Sequence, residues 1–477
     1  MKQMTLSNIA KACSGVLVGT VTDTEITSAV LDSRLVTEGA LFFATVGVRV
    51  DGHRFIGSVY EKGACCVVTQ KEPEQVEKEH GVPKEAWGAY ILVEDTLKAL
   101  KDIAEFYRST LTIPIVGITG SVGKTSTKEY IAGVLSEKYN VLKTEGNFNN
   151  EIGVPLTLLR IREEHEAAVV EMGISDFGEM HRLSKMARPN VCVITNIGQC
   201  HLENLKTRDG ILKAKTEIFD YMAPDGEVCL NGEDDKLATV TGVHGKKVHF
   251  FGLGENSAEE VYAADIVSKG LFGSDATLHF AEQVKQEEQT EEILPIHVTI
   301  PGVHMVTNAA AAACVGRILG LSKEQIAQGI RKVVPVNGRS NLIALPQYTL
   351  IDDCYNANPV SMKAAIDLLG MADNRKVAIM GDMFELGADS AKMHEQTGEY
   401  AAAAGLDRII CIGADSAHMY DGAVKAGSRD VLYFETREQF LQKWQQEKEE
   451  LLPPDSTILI KASHGMEFEK IVEALQK

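Results

Sequence analysis

The sequence has no long uninterrupted hydrophobic run. A membrane-spanning helix needs about 20 apolar residues, and even the alanine-rich stretch 309–315 is followed closely by Arg317. Near the N-terminus, Asn8 and Lys11 interrupt the apolar core that a secretory signal peptide requires. We therefore expect a cytoplasmic protein without membrane insertion.

Positive charge is also scarce. The 477 residues contain 48 Lys and Arg against 67 Asp and Glu, and the formal net charge at pH 7 is −19. A surface that binds nucleic acid or an anionic membrane needs the opposite balance, so we expect no nucleic-acid partner. An anionic substrate must be held by a few local cations and by backbone N–H groups.

Paired cysteines are missing too. The nine cysteines include no Cys-x-x-Cys pair, and an odd number fits no closed disulfide framework. Cys192, Cys229 and Cys411 lie inside apolar runs, where a reduced, buried thiol is expected. The rest of the composition, 44% hydrophobic and 24% charged, is that of an ordinary globular protein.

A phosphate-binding motif stands between an apolar run and a helical pattern. Residues 115–125 are Ile-Val-Gly-Ile-Thr-Gly-Ser-Val-Gly-Lys-Thr. Glycines let backbone N–H groups close around phosphate oxygens, Lys124 and the helix start add positive charge, and Thr125 offers a hydroxyl to Mg²⁺. Five residues separate Gly117 from Gly123, one more than in the usual P-loop. The alternative is a tight turn with a chance lysine, but the flanking strand and helix favour a nucleoside triphosphate site.

Two further apolar strands of the same kind end in polar residues. One ends at Glu171, and the other is followed by 196–203, a segment that includes His201. Ligands of parallel sheets lie beyond the carboxyl ends of the strands, so these groups should converge on Lys124. Thr125, Glu171 and His201 are candidate magnesium ligands. Because Mg²⁺ prefers oxygen, His201 taken alone is better explained as a structural residue.

The length and the alternation of strands with helices predict three α/β domains. Residues 112–114 and 335–338 are candidate linkers. The predicted units are a small α/β N-terminal domain (1–110), a central P-loop mononucleotide-binding α/β domain (111–335) and a C-terminal Rossmann-like doubly wound domain (336–477). Period-two alternation in 248–300 predicts a β-hairpin insert, with a solvated tip at the charged stretch 282–292.

Three other segments have two interpretations each. The amide-rich stretch 144–150 is either a turn or a recognition loop. Residues 32–34, Asp-Ser-Arg, could hold a phosphorylated ligand, although solvated loop charge is favoured. Lys215, in the predicted helix 209–222, would ordinarily be a surface lysine.

Several function classes are compatible with a triphosphate site in this setting. A small-molecule kinase needs only a substrate hydroxyl near Lys124. A protein that only binds a nucleotide is a further alternative, but that function does not explain why strands in all three domains end in polar residues. A motor or switch protein should show a water-positioning residue and switch loops, and those signals are weak.

The whole chain resembles the Mur ligases of bacterial peptidoglycan synthesis. Residues 117–125 are similar to the family's form of the P-loop, which accounts for the extra residue. Residues 144–155 and 352–359 resemble the branch that adds D-alanyl-D-alanine rather than its sister ligases. Two details depart from the family pattern. Residues 461–464 are Lys-Ala-Ser-His where relatives often have Lys-Gly-Ser-Arg, and Cys200 stands where a small residue is common.

The resemblance implies an ATP- and Mg²⁺-dependent ligase. It would activate the terminal carboxylate of UDP-N-acetylmuramoyl-tripeptide as an acyl phosphate and join it to the amine of D-alanyl-D-alanine. We separately expect a monomer. A sister ligase that adds a single amino acid stays as an alternative beside the kinase. The family pattern implies that Lys215 is carbamylated and helps His201 to hold a second magnesium ion; a plain surface lysine is the alternative.

The resemblance also assigns site residues by position. The implied catalytic residues are Lys124, His201, Lys215 and Arg339. The implied ATP contacts are Gly120, Ser121, Val122, Gly123, Lys124, Thr125, Ser126, Asn308, Arg339 and Asp353 (or Asp352), with Asn231 and Asp234 as further candidates. The implied metal ligands are Thr125, Glu171, His201 and carbamylated Lys215. The implied substrate contacts are Ser33, Arg34, Asn147, Asn149, Asn150, Tyr355, Asn356 and Asn358. Domain closure about hinges near residues 110 and 336 should bring Arg339 and Asp353 to Lys124.

Overall fold

The structure is a computed structural model, and it describes residues 1–19, 24–47, 50–254, 260–281, 292–336 and 338–477. Its strands form three large sheets, one in each successive part of the chain, and one two-stranded hairpin. Helices pack on all three sheets, so the predicted α/β class is confirmed. Within the described ranges, no helix is long and apolar enough to cross a lipid bilayer.

The first sheet has five strands in the order β1-β5-β4-β3-β2, all parallel except β1. The strands are β1 Val16–Val18, β2 Ser28–Val30, β3 Ala40–Phe43, β4 Cys66–Thr69 and β5 Tyr90–Leu92. The helices are α1 Leu6–Ala12, α2 Ile56–Glu61, α3 Pro73–His80 and α4 Thr96–Ser109. Asp95 caps α4 by accepting from the N–H groups of Leu97 and Lys98.

The second sheet contains the P-loop and has nine strands in the order β16-β15-β14-β13-β10-β9-β6-β8-β7. The strands are β6 Ile115–Thr119, β7 Val141–Lys143, β8 Ala167–Glu171, β9 Val191–Ile194, β10 Glu227–Asn231, β13 His249–Leu253, β14 Val261–Ser268, β15 Ser274–Phe280 and β16 Glu292–Val298, and the hairpin is β11 Gly242–Val243 with β12 Lys246–Lys247. The helices are α5 Lys124–Leu135, α6 Gly153–Leu158, α7 Glu179–Ala187, α8 Leu202–Leu205, α9 Arg208–Thr216, α10 Val303–Ile318 and α11 Lys323–Arg331.

The strands predicted as a separate hairpin insert are part of this second sheet. β14 pairs in parallel with β13, and β15 and β16 continue the sheet in antiparallel fashion. Period-two alternation therefore predicted the strands but not their attachment, because a half-buried strand has the same pattern at the edge of a large sheet as in a free hairpin. The predicted solvated tip, apart from Glu292, lies outside the described residues.

The third sheet has six strands in the order β17-β18-β22-β19-β20-β21, all parallel except β17. The strands are β17 Asn341–Ala344, β18 Tyr348–Asp352, β19 Arg375–Gly381, β20 Arg408–Ile412, β21 Val431–Phe434 and β22 Ser456–Lys461. The helices are α12 Pro359–Gly370, α13 Ser390–Ala403, α14 Ser416–Lys425, α15 Arg437–Gln446, α16 Lys448–Leu451 and α17 Glu469–Leu475. Apolar clusters on both faces of the sheet confirm a doubly wound arrangement.

The sequence pattern of 437–449 predicts one helix, and this prediction is wrong in extent. The stretch contains two helices, since Glu447 has the non-helical dihedrals φ −136° and ψ 53°. The break lets Leu451 and Leu452 turn into the core. Arg408 binds the carbonyl oxygens at the end of the second helix and so stabilises the break.

Contacts between the sheets set the geometry of the site. Arg108, buried at the end of α4, donates to the Ala187 carbonyl at 2.7 Å and so ties α4 to the second sheet's helices. Leu271, in the turn between β14 and β15, packs into the apolar cluster that contains α12. The second and third sheets therefore face one another in a closed arrangement.

Candidate active site

The P-loop lies between β6 and α5. Its backbone needs glycine at two positions, because Gly120 and Gly123 have φ angles of +154° and +82°. A Cβ atom on Gly120 would lie 1.9 Å from Thr195 Oγ1. The Lys124 ammonium donates to the Gly120 carbonyl at 2.8 Å and therefore lies along the loop. The N–H groups of Ser121 and Val122 donate to Asn196 in this structure, and the Lys124 cation lies beside the loop.

A buried carboxylate meets the P-loop helix at the end of β8. Glu171 is 2% exposed. Thr125 Oγ1 donates to Glu171 Oε2 at 3.0 Å, and Asn149 Nδ2 donates to Oε1 at 2.9 Å. A carboxylate beside a hydroxyl oxygen is the donor chemistry that Mg²⁺ prefers, so this pair fits the ion. Asn149, expected to contact substrate, binds Glu171 in this structure.

His201 faces the third sheet across the interface. It precedes α8 with a left-handed φ of +51°, and its Nδ1 lies 2.7 Å from Glu385 Oε2. Burial lowers the pKa of His201 below its ordinary value, and Lys215 and Lys124 act in the same direction while Glu385 opposes them. A neutral imidazole is the form that binds a metal ion.

Lys215 is buried, so the surface-lysine alternative is wrong. It lies on α9 on the same inward face as Ile211 and Ala214 and is 1% exposed, whereas Lys213 is exposed. Among the described residues, none gives its ammonium a hydrogen bond or an ion pair. Burial lowers the pKa of Lys215 to about 8. An amine that loses its proton this readily fits carbamylation, because only the neutral amine attacks CO₂.

The third part of the chain contributes a stacked arginine and a paired acid. The Arg339 guanidinium lies 4.2 Å from the centre of the Tyr355 ring, and the rings of Tyr355 and His464 are 5.3 Å apart. Asp353 Oδ2 accepts from Lys461 Nζ at 2.5 Å. The contact holds the Arg339 guanidinium over the face of the Tyr355 ring, and its positive charge is available to an oxyanion.

Two clefts open between the second and third sheets and meet at the P-loop. The smaller, about 260 Å³, is lined by P-loop residues and by Asn308, Arg339 and Asp353. The larger, about 640 Å³, is lined by Glu171, His201 and Tyr355 among others. Both are lined by Ser121, Lys124, Arg339, Asn356 and Asn358. The expected approach of Arg339 and Asp353 to Lys124 is thus present in this structure.

Most of the sequence-predicted site residues line these clefts. Those of the smaller cleft are Ser121, Val122, Gly123, Lys124, Thr125, Ser126, Asn231, Asn308, Arg339, Asp353, Asn356 and Asn358. Those that line the larger cleft without lining the smaller are Asn147, Asn149, Asn150, Glu171, His201 and Tyr355. The convergence expected at the carboxyl ends of the strands therefore occurs.

Some predicted residues lie elsewhere or have a structural partner. Ser33 and Arg34 line neither cleft; the Arg34 side chain is 85% exposed and pairs with Asp32 at 2.6 Å. Asp352 accepts from Gly338 N–H at 2.8 Å and lines neither cleft, so it holds the linker to β18.

Asn358 is the N-cap of α12 as well as a cleft residue, and Asn150 is a cleft residue that binds the first residue of α6. The Asn150 side chain accepts from Gly153 N–H at 2.9 Å, and the Asn358 side chain accepts from Ser361 N–H at 2.9 Å. Asp234 Oδ2 accepts from Ile197 N–H at 2.8 Å. These side-chain oxygens already have partners.

Among the cleft residues that the sequence did not assign to the site are His304, Lys461 and Glu385. His304 and Lys461 line the smaller cleft, and Glu385 lines the larger one. Lys461 directly follows the apolar run 458–460, so its position at a strand end was a usable signal. His304 follows a Pro-Gly turn at a helix start, and Glu385 lies four residues beyond β19 with no local pattern to mark it.

Three models of one family match successive parts of the chain. The model described as Mur ligase family, catalytic domain, matches residues 25–108. The Mur ligase middle domain matches 118–316, and the Mur ligase, glutamate ligase domain, matches 338–464. The three matches follow the order of the three sheets.

Individual proteins match over nearly the whole chain. UDP-N-acetylmuramoyl-tripeptide–D-alanyl-D-alanine ligase of Bacillus subtilis (strain 168) is 35% identical over 480 aligned residues, which cover 100% of this chain and 99% of that protein. A crystal structure of MurF from Acinetobacter baumannii has a TM-score of 0.85 at 31% identity, with 99% of each chain covered. MurF ligase from Thermotoga maritima in complex with ADP has a TM-score of 0.76 at 27% identity, covering 94% of this chain and 97% of that one. The chain belongs to the Mur ligase family.

Proposed function

We propose that the protein is an ATP-dependent ligase that joins D-alanyl-D-alanine to UDP-N-acetylmuramoyl-tripeptide and so completes the pentapeptide of a peptidoglycan precursor. The observation that carries this proposal is the junction of the two clefts at Lys124 and Arg339. A nucleotide in the smaller cleft would present its terminal phosphate there. A carboxylate arriving through the larger cleft would meet that phosphate between two cations.

The smaller cleft is the proposed ATP site. The N–H groups and side chains of 120–126 would surround the phosphates, and Lys124 and Arg339 would neutralise their terminal charge. Asn308 would contact adenine, and Thr127 Oγ1 orients it by donating to Asn308 Oδ1 at 2.9 Å. Asp353 would make a further nucleotide contact. The ADP complex of the Thermotoga maritima neighbour supports a nucleotide in this family fold.

The donors around Glu171 and His201 fit magnesium. Thr125 and Glu171 would hold one ion, and His201 with carbamylated Lys215 would hold a second. Carbamylation joins CO₂ to the Lys215 nitrogen with loss of a proton, so a buried cation becomes an anionic oxygen ligand. The bound ions would neutralise phosphate charge.

The proposed reaction has two group transfers. An oxygen of the tripeptide's terminal carboxylate attacks the γ-phosphorus, the bond to the bridging oxygen breaks, and ADP leaves behind an acyl phosphate. The neutral amine of D-alanyl-D-alanine then attacks the carbonyl carbon, gives up a proton, and phosphate leaves the tetrahedral intermediate. Lys124 and Arg339 act by positioning and charge neutralisation, since no covalent bond to the protein is needed.

Substrate contacts are proposed from both sides of the larger cleft and from the N-terminal domain. Ser33 and Arg34 would bind the UDP group. The sugar-peptide would contact Asn147, Asn149 and Asn150, and Tyr355, Asn356 and Asn358 would face the dipeptide. We further propose the domain limits 1–110, 111–335 and 336–477, and a monomer that works in the cytoplasm, where ATP is supplied.

The deciding experiment measures ADP release with UDP-N-acetylmuramoyl-tripeptide in the presence and absence of D-alanyl-D-alanine, with mass spectrometry of the product. We expect release to require both substrates and the product to be the UDP-linked pentapeptide. Release that ignores the dipeptide and yields a stable phosphorylated compound would instead identify a kinase. ADP release that requires a single amino acid and a shorter UDP-linked acceptor, instead of the dipeptide and the tripeptide, would identify a sister ligase.

A further inference from the structure

The contact between His201 and Glu385 joins the two halves of the larger cleft. Glu385 belongs to the loop after β19, in the third sheet, whereas His201 precedes α8 beside the second sheet. Glu385 Oε2 lies 2.7 Å from His201 Nδ1. The Glu385 side chain is 61% exposed and that of His201 is 26% exposed. This contact therefore exists only while the two sheets face one another.

The loop that carries Glu385 is held in place before any ligand arrives. Met383 N–H donates to the buried His394 Nε2 at 2.9 Å, and Phe384 N–H donates to Ser463 Oγ at 2.9 Å. Glu385 itself has a left-handed φ of +63°, which non-glycine residues adopt only where their surroundings impose it. The carboxylate is aimed at His201 by a fixed backbone.

The other acids of the larger cleft have different partners. Glu151 accepts from Lys101 and Arg182, and Glu179 accepts from the N–H groups of Ser175 and Asp176 in the loop before its helix. Glu171 is bound by the P-loop helix, as described above. Among the described lining residues, Glu385 is the acid whose recorded partner is an imidazole.

A carboxylate on one ring nitrogen of a histidine determines what the other nitrogen does. When Nδ1 donates to Glu385, the proton of the neutral ring is on Nδ1 and the lone pair is on Nε2. Histidines that bind metal ions are oriented in this way by a carboxylate or carbonyl, and loss of that partner weakens metal binding about 10- to 100-fold.

We propose that Glu385 is a positioning residue that fixes the tautomer and orientation of His201, so that the second magnesium site is complete only when the domains are closed. This inference rests on the proposed role of His201 as a metal ligand. By linkage, a metal ion that binds the closed arrangement more tightly also favours closure.

The test measures binding of Mn²⁺, as a paramagnetic probe, to the full-length protein with ADP and bicarbonate by electron paramagnetic resonance. Four proteins are compared with wild type: E385Q, H201A, the double variant and E473Q. Glu473 is the matched control, because it is an exposed glutamate on α17 that lines neither cleft. Thermal melting and circular dichroism establish that each variant is folded.

We expect E385Q to lower the Mn²⁺ affinity of the weaker-binding site, the one that includes His201, about 10- to 100-fold. E473Q should leave that affinity unchanged. The double variant should be no worse than H201A, because both changes remove the same site. In turnover assays, raising Mg²⁺ should restore E385Q but not H201A. E385D, whose carboxylate is one methylene shorter, should fall between E385Q and wild type.

Equal Mn²⁺ binding by E385Q and wild type would overturn the inference, and so would losses that multiply in the double variant. Since the binding assay uses no peptide substrate, it decides this inference even if the ligase assay fails. Conversely, a wild-type protein that makes no pentapeptide would refute the proposed function whatever the Mn²⁺ result.

Discussion

Replacing Lys215 by methionine should make the protein more stable and inactive at the same time. Lys215 is 1% exposed and has no counter-ion among the described residues. Folding therefore takes a charged ammonium out of water without compensation. Methionine has a similar unbranched shape and no charge, so it removes this cost while leaving the packing around α9 largely intact.

The magnitude follows from the pKa. Burial lowers the pKa of Lys215 from an ordinary 10.5 to about 8, and each unit corresponds to about 1.4 kcal/mol. The buried charge thus costs about 3 kcal/mol at pH 7. Because the folded-state pKa is below the unfolded one, the full cost applies below pH 8 and disappears as the pH rises towards 10.5. The advantage of K215M should shrink over that window.

The same pKa bears on carbamylation. At pH 7.5 an amine with a pKa of about 8 is roughly one-quarter neutral, against about 0.1% for an ordinary lysine. Bicarbonate together with Mg²⁺ and ADP should therefore stabilise the wild-type protein, since the carbamate turns an unpaired cation into a metal ligand. K215M should not respond to bicarbonate.

The assay compares wild type and K215M by calorimetric melting and by hydrogen exchange of α9. Both measurements are made first in CO₂-free buffer from pH 7 to 10.5, and then with bicarbonate, Mg²⁺ and ADP added. Hydrogen exchange is needed because a chain of several domains does not unfold as one unit. Lys213→Met is the control, because Lys213 lies on the same helix but is exposed. A difference between wild type and K215M that stays constant from pH 8 to 10.5 would refute the reasoning, whatever its size, because a packing effect does not depend on pH.

Two further predictions concern the nucleotide. Lys124→Ala should lower kcat at least about 100-fold and leave the melting temperature unchanged, since among the described residues the Lys124 side chain donates to the Gly120 carbonyl alone. Retained turnover in an ADP-release assay would contradict its role. Thr127→Val removes the hydroxyl that donates to Asn308 Oδ1 at 2.9 Å. Losing this hydrogen bond, worth about 1 kcal/mol, should raise KM for ATP about fivefold. Steady-state kinetics in which kcat falls and KM is unchanged would argue against an orienting role for Thr127.

The parts of the fold that could be predicted are those encoded locally. The strands Arg408–Ile412 and Val431–Phe434 can be located from the sequence because short apolar runs end at turn residues there. The P-loop was predicted because strand, glycines and helix are adjacent in the chain. The short edge strand β17 was not predicted, since four half-exposed residues carry little periodic signal.

The burial of Lys215 could have been predicted from its position on the helix. Lys213 and Lys215 lie on one amphipathic helix, and residue type alone does not distinguish them. Ile211, Lys215 and Ile218, however, are spaced four and three residues apart and so lie on one helix face. The periodic pattern placed Lys215 on the buried side, and the general preference of lysine for solvent outweighed it.

Charge, rather than size, distinguishes the proposed triphosphate cleft from another cavity of the same sheet. A cavity of about 560 Å³ lies at the opposite edge of the second sheet, where Asn190, Asp225 and Glu227 are among the lining residues. It is larger than the cleft proposed for ATP, but it offers acids to an incoming anion. The hydrogen bond to Glu260 raises the pKa of His249, also in its lining, to about 9, and both Glu260 and Glu227 neutralise this cation.

The carboxyl edge has the opposite character. Lys124 begins α5 after the P-loop and Lys461 ends β22, so each sheet brings an ammonium to the smaller cleft, that of Lys461 being paired with Asp353. Arg339, from the linker before β17, adds a third cation at the junction of the clefts. A protein with a net charge of −19 repels anions over most of its surface, so we expect a triphosphate to bind at this small group of cations. Because the group comes from two sheets, separating them should weaken nucleotide binding even if every residue of the P-loop is unchanged.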